Sequence, residues 1–341
     1  MVDAICAEAV LRKSYLTTEV TTIYFGGGTP SLLSVQQLKK IFQTLEDNYT
    51  LADQLEVTLE CNPDDLSKEV LENLYRAGVN RLSIGIQSFD DEVLQSMNRA
   101  HNAVQANESL TLAKKVGFEN ITMDLIYGIP DKDMDYWKEQ VEQFLSYELP
   151  HLSAYCLTIE ENTFFDHQFR KGKLREPKEE ETLAQFNYLR DRLAKEGFEH
   201  YEISNFAREG FISKHNSSYW LGEIYLGLGP SAHSYDLKSR SWNVANNAEY
   251  LRRMSAGTMP YETEEITSTE AFNEYVLTRL RTKWGISRGS LEKIDQKAYQ
   301  RILPTIDRFL EEGILKEAGG QLFLTDEHLF TVDHVSADLF Y

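Results

Sequence analysis

Short apolar runs of β type alternate with helical patterns along most of this chain, and no other feature restricts its fold as strongly. The strand-like runs fall at Thr21–Phe25, Glu56–Glu60, Arg81–Gln87, Asn120–Tyr127, His151–Ile159 and His200–Asn205. Between them, "SVQQLKKIFQTLEDN" opens with Ser34 and Gln37 in capping-box spacing. Two further helical patterns end on Gly78 and Gly117, each placed to close a helix in the left-handed conformation. "DYWKEQVEQFLSYELP" must stop before Pro150, which cannot continue a helix.

Strand and helix alternating at this spacing mean parallel βαβ units with right-handed crossovers, an α/β fold. Glycine or polar residues stand at the C-terminal end of nearly every run: Gly26 to Thr29, Glu60 and Asn62, Gln87, and Asp124. An open sheet would gather such residues at one switch point, whereas a barrel spreads them around its top face. The pattern favours a partial (βα) barrel.

A second region begins near Thr267. The helical run "AFNEYVLTRLRTKWGI" precedes a stretch reading as helix, strand, a Gly319–Gly320 turn and strand. Helices followed by such a hairpin suggest a small winged-helix-like domain. Its acidic flanks, "DRFLEEG" and "TDEHLF", favour an interaction or lid role over DNA binding. The expected division is a barrel core over 1–175, a barrel extension over 176–265 and the winged-helix-like domain over 266–341.

Composition narrows the function. A formal net charge of −19 argues against nucleic acid as a partner, since such binders carry a basic footprint. No apolar run approaches the roughly 20 residues of a membrane span. The N-terminus "MVDAICAEAVLRKSYL" reads as an amphipathic helix with no leader before it, so the expected location is cytoplasmic. The three cysteines, Cys6, Cys61 and Cys156, form no closely spaced pair. Disulfides and a self-contained metal site of thiolates are therefore not expected.

The strand ends carry the chemistry. Three consecutive glycines before Thr29 and Pro30 let a ligand approach the backbone closely. No lysine follows as in a P-loop, which weakens a phosphate and leaves an amino acid or a nucleoside. Glu60 could accept from ribose hydroxyls or an ammonium group, or cap the next helix. Gln87 offers donor and acceptor, and Arg99 could clamp a carboxylate. Asp124, inside an apolar strand, needs a partner, with Arg99 or a ligand expected. Further on, "KHNSSYW" groups His215, Asn216, Tyr219 and Trp220, and "YLGLGPSAHSY" holds Gly227, Gly229 and His233. The two glycines weakly suggest a dinucleotide loop. The two histidines could bind a metal or haem, act as acid and base, or be structural.

Taken in order, "FGGGTPSLL", "ECNP", "RLSIGIQSFDDEVL", "DLIYGIP", "LSAYCLTIEENT", "YEISNFA", "HNSSYW" and "GPSAHSY" resemble the radical S-adenosylmethionine (SAM) superfamily. More narrowly, they resemble its HemW-type haem chaperones, relatives of oxygen-independent coproporphyrinogen III oxidase. The resemblance runs from about Thr21 to the C-terminus. It implies a partial (βα)6 barrel in which Gly27, Gly28 and Thr29 hold the methionine part of SAM, while Glu60, Gln87, Arg99 and Asp124 complete the contacts. It further implies haem as cargo for acceptor haemoproteins, with His215 or His233 as axial ligand and Tyr219 and Trp220 against the macrocycle. The alternatives are a coproporphyrinogen-oxidising radical SAM enzyme and a cluster-less interaction protein. One departure stands out. The family carries CxxxCxxC after its first barrel strand to hold a [4Fe–4S] cluster, and neither that strand nor the motif is found here. The expectation is a chain truncated at its N-terminus, with Thr21–Phe25 left as an edge strand.

Overall fold

The structure, a computed structural model, describes residues 1–158, 170 and 178–341. Two compact units are present. One comprises Ile23–Val35 and Glu56–Ile212; the other comprises Met1–Thr22, Gln36–Leu55 and Ser213–Tyr341.

A seven-stranded sheet runs in the order β1-β2-β3-β4-β5-β7-β6. Its strands are β1 (Val20–Phe25), β2 (Leu51–Cys61), β3 (Arg81–Gln87), β4 (Asn120–Tyr127), β5 (His151–Cys156), β6 (Glu199–Glu202) and β7 (Asn205–Ala207). β2 through β5 pair in parallel, each joined to the next through helices, as the alternation requires. Both faces are covered, so β3 is buried at six of its seven positions. Leu59, Leu82, Ile84, Ile121, Met123 and Leu152 are wholly buried, and Leu71, Leu110, Trp137 and Phe144 bring helix faces to the same core. The helix stops fall where expected, with Gly78 at φ +100° and Gly117 at φ +111°. The Lys68–Arg76 helix is capped by Ser67, and the Ala103–Val116 helix by a full Asn102–Gln105 capping box.

Two strand readings change. The run His200–Asn205 is not a sixth parallel strand. It folds as the hairpin β6–β7 around Ile203 and Ser204, and pairs antiparallel with β5. No glycine or proline marks this turn; the Asn205 side chain closes it by donating to the Glu202 carboxylate. β5 ends at Cys156. The expected reach to Ile159, the end of "LSAYCLTIEENT" and the boundary at 175 lie outside the described residues. β1 stands at one edge of the sheet order, as expected.

The other unit contains helix α1 (Val2–Leu11) and a three-stranded antiparallel sheet of β8 (His233–Tyr235), β9 (Ser239–Asn243) and β10 (Tyr261–Glu265). The C-terminal region holds the helices Ser268–Leu280, Arg288–Ile294 and Gln296–Glu311, then the hairpin Leu315–Ala318 to Gln321–Leu324. Gly319 and Gly320 both take positive φ in its turn, and Ile286–Ser287 adds a third strand, completing a winged-helix-like arrangement. The amphipathic reading of α1 needs correction. Glu8 is completely buried, while Val10 and Leu11 are exposed. Four hydrogen-bonding partners account for that inversion. Glu8 accepts from Gly229 N–H at 2.9 Å, Tyr250 OH at 2.7 Å and Asn243 Nδ2 at 2.8 Å, and pairs with Arg12 at 3.5 Å.

Candidate functional site

Within the sheet unit, a polar cavity of about 250 Å³ lies at the strand ends, lined by Gly28, Glu60, Asn62, Gln87, Arg99 and Asp124 among others. Five of the seven residues expected to bind one ligand are thus brought together. Gly27 adjoins them: its N–H donates to Glu60 Oε2 at 3.1 Å, and Tyr24 OH donates to Glu60 Oε1 at 2.8 Å. Thr29 follows Gly28 in the chain but is not among the lining residues.

Local backbone departures aim these side chains. Gly27 and Gly28 take φ of +72° and +63°, a conformation that favours glycine, with open space where a Cβ would stand. A register shift between Ile84 and Gln87 leaves Gln87 at φ +64°. Such a non-glycine conformation costs on the order of 1 kcal/mol and collects at functional sites. At Gly85 an added Cβ would lie 2.9 Å from Gln87 Nε2 and 3.2 Å from Arg99 Nη2. The missing side chain there makes room for two pocket residues.

Arg99 does not pair with Asp124 as expected. It donates to Asn62 Oδ1 at 3.0 Å and to Gly85 O at 3.1 Å, and burial lowers its pKa. Asp124 instead meets the hydroxyls of Ser83 and Ser153. Burial pushes its carboxyl up to about 7, against the opposing pull of the Arg81 guanidinium and of those hydroxyls. The cavity therefore offers one half-buried arginine, an acid beside the glycine backbone and an acid poised near neutrality. That donor set suits a zwitterionic amino-acid end joined to a hydroxylated, nitrogen-rich remainder.

The second group of expected residues lies in the other unit. His215 is held from both sides: Nδ1 lies 2.9 Å from Thr22 Oγ1 and Nε2 lies 3.1 Å from Tyr219 OH. Its ring meets Tyr219 edge-on at 5.0 Å, and Tyr219 meets Tyr225 at 4.7 Å. Tyr225 is bridged to Tyr235 of β8. His233 stands two positions earlier on β8, exposed, opposite Trp242. Trp220 ends the short helix Lys214–Trp220 that carries His215 and Tyr219. The dinucleotide reading of Gly227 and Gly229 fails here. The Gly229 N–H is taken by Glu8, and a Cβ on Gly227 would fall 2.1 Å from the His233 carbonyl oxygen. These glycines permit close packing of the loop under His233.

A family model for the radical SAM superfamily matches residues 8–144, a span that includes the whole cavity lining. The heme chaperone HemW of Lactococcus lactis is 37% identical over 92% of this chain and 83% of its own length. That of Bacillus subtilis is 35% identical over 91% and 82%. The chain belongs to the HemW family of radical SAM proteins. Its fold also matches that of coproporphyrinogen III oxidase (HemN) from Escherichia coli, with a TM-score of 0.80 at 20% identity over 99% of this chain and 82% of that one. The partial radical SAM barrel read from the sequence is therefore the fold of the HemW-family chain, its sixth strand position taken by a hairpin.

The family implies SAM and a [4Fe–4S] cluster, and the described residues treat the two differently. The lining residues Gly28, Glu60, Gln87, Arg99 and Asp124 offer the charged and hydrogen-bonding groups that an amino-acid nucleoside requires. The cluster does not fit. Among the described residues no group of three or more His, Cys, Asp and Glu side chains could hold a metal ion. Cys6 and Cys61 are buried, and all three cysteines are free.

Ser83, Gly85, Arg81, Ser153 and Tyr24 escaped the sequence reading. The first three lie in the strand "RLSIGIQ", where alternation placed Arg81 and Ser83 on one side with Gly85 and Gln87. That shared side was the available signal, since alternate residues of a strand face one way.

Proposed function

We propose that the chain is a SAM-binding haem chaperone that receives haem at the His215 surface and passes it to acceptor haemoproteins. The observation that carries the reading is His215, anchored at Nδ1 by Thr22 while Nε2 faces the hydroxyl of half-exposed Tyr219. A hydrogen bond at one ring nitrogen sets the tautomer and orientation of the other, as at known metal-ligating histidines. With its proton on Nδ1, His215 presents a lone pair at Nε2, and rotation of Tyr219 exposes it. Tyr219, Tyr225 and Trp220 supply aromatic surface for the macrocycle. In the same reading the residues of the cavity hold SAM, the Gly27–Gly28 backbone and Glu60 facing its amino-acid end and Arg99 its carboxylate. The division at 175 and 265 goes with this proposal.

Haem titration followed at the Soret band tests the first half. His215→Ala is expected to weaken binding about tenfold or more, with His233→Ala as the comparison. Unchanged affinity in His215→Ala removes His215 from the site. Calorimetry with SAM tests the second half, paired with Gly85→Ala. The added methyl on this lining residue crowds the Gln87 and Arg99 side chains, and about a tenfold loss of SAM affinity is expected. Equal affinities for Gly85→Ala and wild type would show that SAM does not occupy the part of the cavity lined by Gly85, Gln87 and Arg99.

A further inference from the structure

Gln87, which lines the cavity, closes β3 in an unusual way. The Ser88 N–H donates to the Ile86 carbonyl at 2.8 Å, a hydrogen bond that encloses only Gln87, whose φ is +64°. A three-residue turn with positive φ at its centre is the rare, strained form of the γ-turn. A residue other than glycine stays in such a conformation only where its surroundings hold it there. The turn folds Gln87 back over its own strand. Its Nε2 lies 2.9 Å from the place a Cβ on Gly85 would take, with Arg99 Nη2 3.2 Å from the same point.

Buried side chains grip the turn before and after Gln87. Gln140, 5% exposed on the helix Met134–Ser146, accepts through Oε1 from the Phe89 N–H at 2.7 Å and from the Ser88 hydroxyl at 3.4 Å. An N–H only donates, so the oxygen of the Gln140 amide must be the atom that faces Phe89. Tyr136 stands one helical turn earlier on the same face, its OH 2.7 Å from Ser88 Oγ. Ser88 is wholly buried, and its hydroxyl also accepts from the Asp90 N–H at 3.0 Å. On the other side, His101 Nε2 lies 3.1 Å from Ile86 O; a carbonyl only accepts, so that nitrogen carries a proton.

His101 thus fixes the residue before Gln87, and Gln140 the two residues after it. Gln87 cannot relax to an extended backbone unless the Phe89 N–H leaves Gln140. We propose that Gln140 is a positioning residue: by holding Ser88 and Phe89 it keeps Gln87 in its strained turn, and so keeps the Gln87 amide over Gly85 in the cavity. For its functional meaning the inference rests on the cavity being the SAM site, where a side chain already in place need not be ordered by the ligand.

The test measures backbone amide exchange by 15N NMR in the ligand-free chain, with wild type compared to Gln140→Leu. The Ser88 N–H bonds to Ile86 O and not to Gln140, so its exchange reports the turn itself. Gln140→Leu should accelerate exchange at Ser88 about tenfold and leave Ile84, inside β3, as it was. Unchanged exchange at Ser88 would overturn the proposal. So would equal acceleration at Ser88 and Ile84, which is general loosening of the sheet. Gln140→Met, closer in length, replaces leucine if that variant does not fold. SAM calorimetry on the same samples reads the effect on the cavity. Gln140→Leu should weaken SAM about tenfold in the wild-type background and no further in Gln87→Ala, where the side chain it positions is gone. An equal loss in both backgrounds would overturn the positioning role. Absent SAM binding, or SAM binding that Gln87→Ala leaves unchanged, ends the reading of Gln87 as a SAM contact, and exchange at Ser88 still decides whether Gln140 holds the turn.

Discussion

Glu8→Ala is expected to destabilise the unit built on α1 by about 3–5 kcal/mol, the usual cost of removing one partner from a buried ion pair. Glu8 is wholly buried and Arg12 is 5% exposed, so the arginine charge would remain in a dry site without its carboxylate. Arg12 also donates to Ser241 Oγ at 3.3 Å and lies over the rings of Tyr15 and Tyr261 at 4.7 and 4.5 Å, which holds it in place. The same substitution strips an acceptor from the Gly229 N–H, the Tyr250 hydroxyl and the Asn243 amide. Each buried group left unsatisfied costs about 1–3 kcal/mol before relaxation, so the upper part of the range is expected. Urea unfolding monitored by near-UV circular dichroism gives the measurement. The double variant Glu8→Gln/Arg12→Met removes both charges and keeps an acceptor, and should recover much of the loss. A loss under 1 kcal/mol in Glu8→Ala would mean that water reaches Arg12.

That clamp shows where sequence reading runs out. A parallel α/β sheet was legible because apolar-rich runs alternate with helical patterns, two of which close on Gly78 and Gly117. The cavity was legible because parallel strands deliver their C-terminal ends to one side, so Glu60, Gln87 and Asp124 converge whatever the loops do. Glu8 gave no such sign. A glutamate on a helix reads as a solvated face, and its partners Gly229, Asn243 and Tyr250 lie more than 200 positions away. The β6–β7 hairpin was missed for a related reason. Its turn, Ile203–Ser204, carries no glycine, and what closes it is a side-chain contact between Glu202 and Asn205. Local pattern reports local conformation. It is silent on polar groups whose burial is compensated by residues remote in sequence.

Glu60→Gln is expected to lower SAM affinity about tenfold to a hundredfold while leaving the fold unchanged. The substitution preserves shape: the amide oxygen can still accept from the Gly27 N–H, and the Tyr24 hydroxyl can turn to suit either end of the amide. What disappears is the negative charge beside the glycine backbone. A hydrogen bond to a charged group contributes about 1.5–3 kcal/mol, which sets the expected range. Glu60 could serve either the ammonium of the amino-acid end or a ribose hydroxyl, and a second ligand distinguishes them. 5′-Deoxy-5′-methylthioadenosine keeps the ribose and base but has no ammonium. Because the Glu60 carboxylate sits against Gly27, the backbone assigned to the methionine part, its affinity should hardly change in Glu60→Gln. Equal losses for both ligands would move Glu60 to the ribose. No loss for either would take Glu60 out of ligand contact and reduce it to a brace for Tyr24 and Gly27.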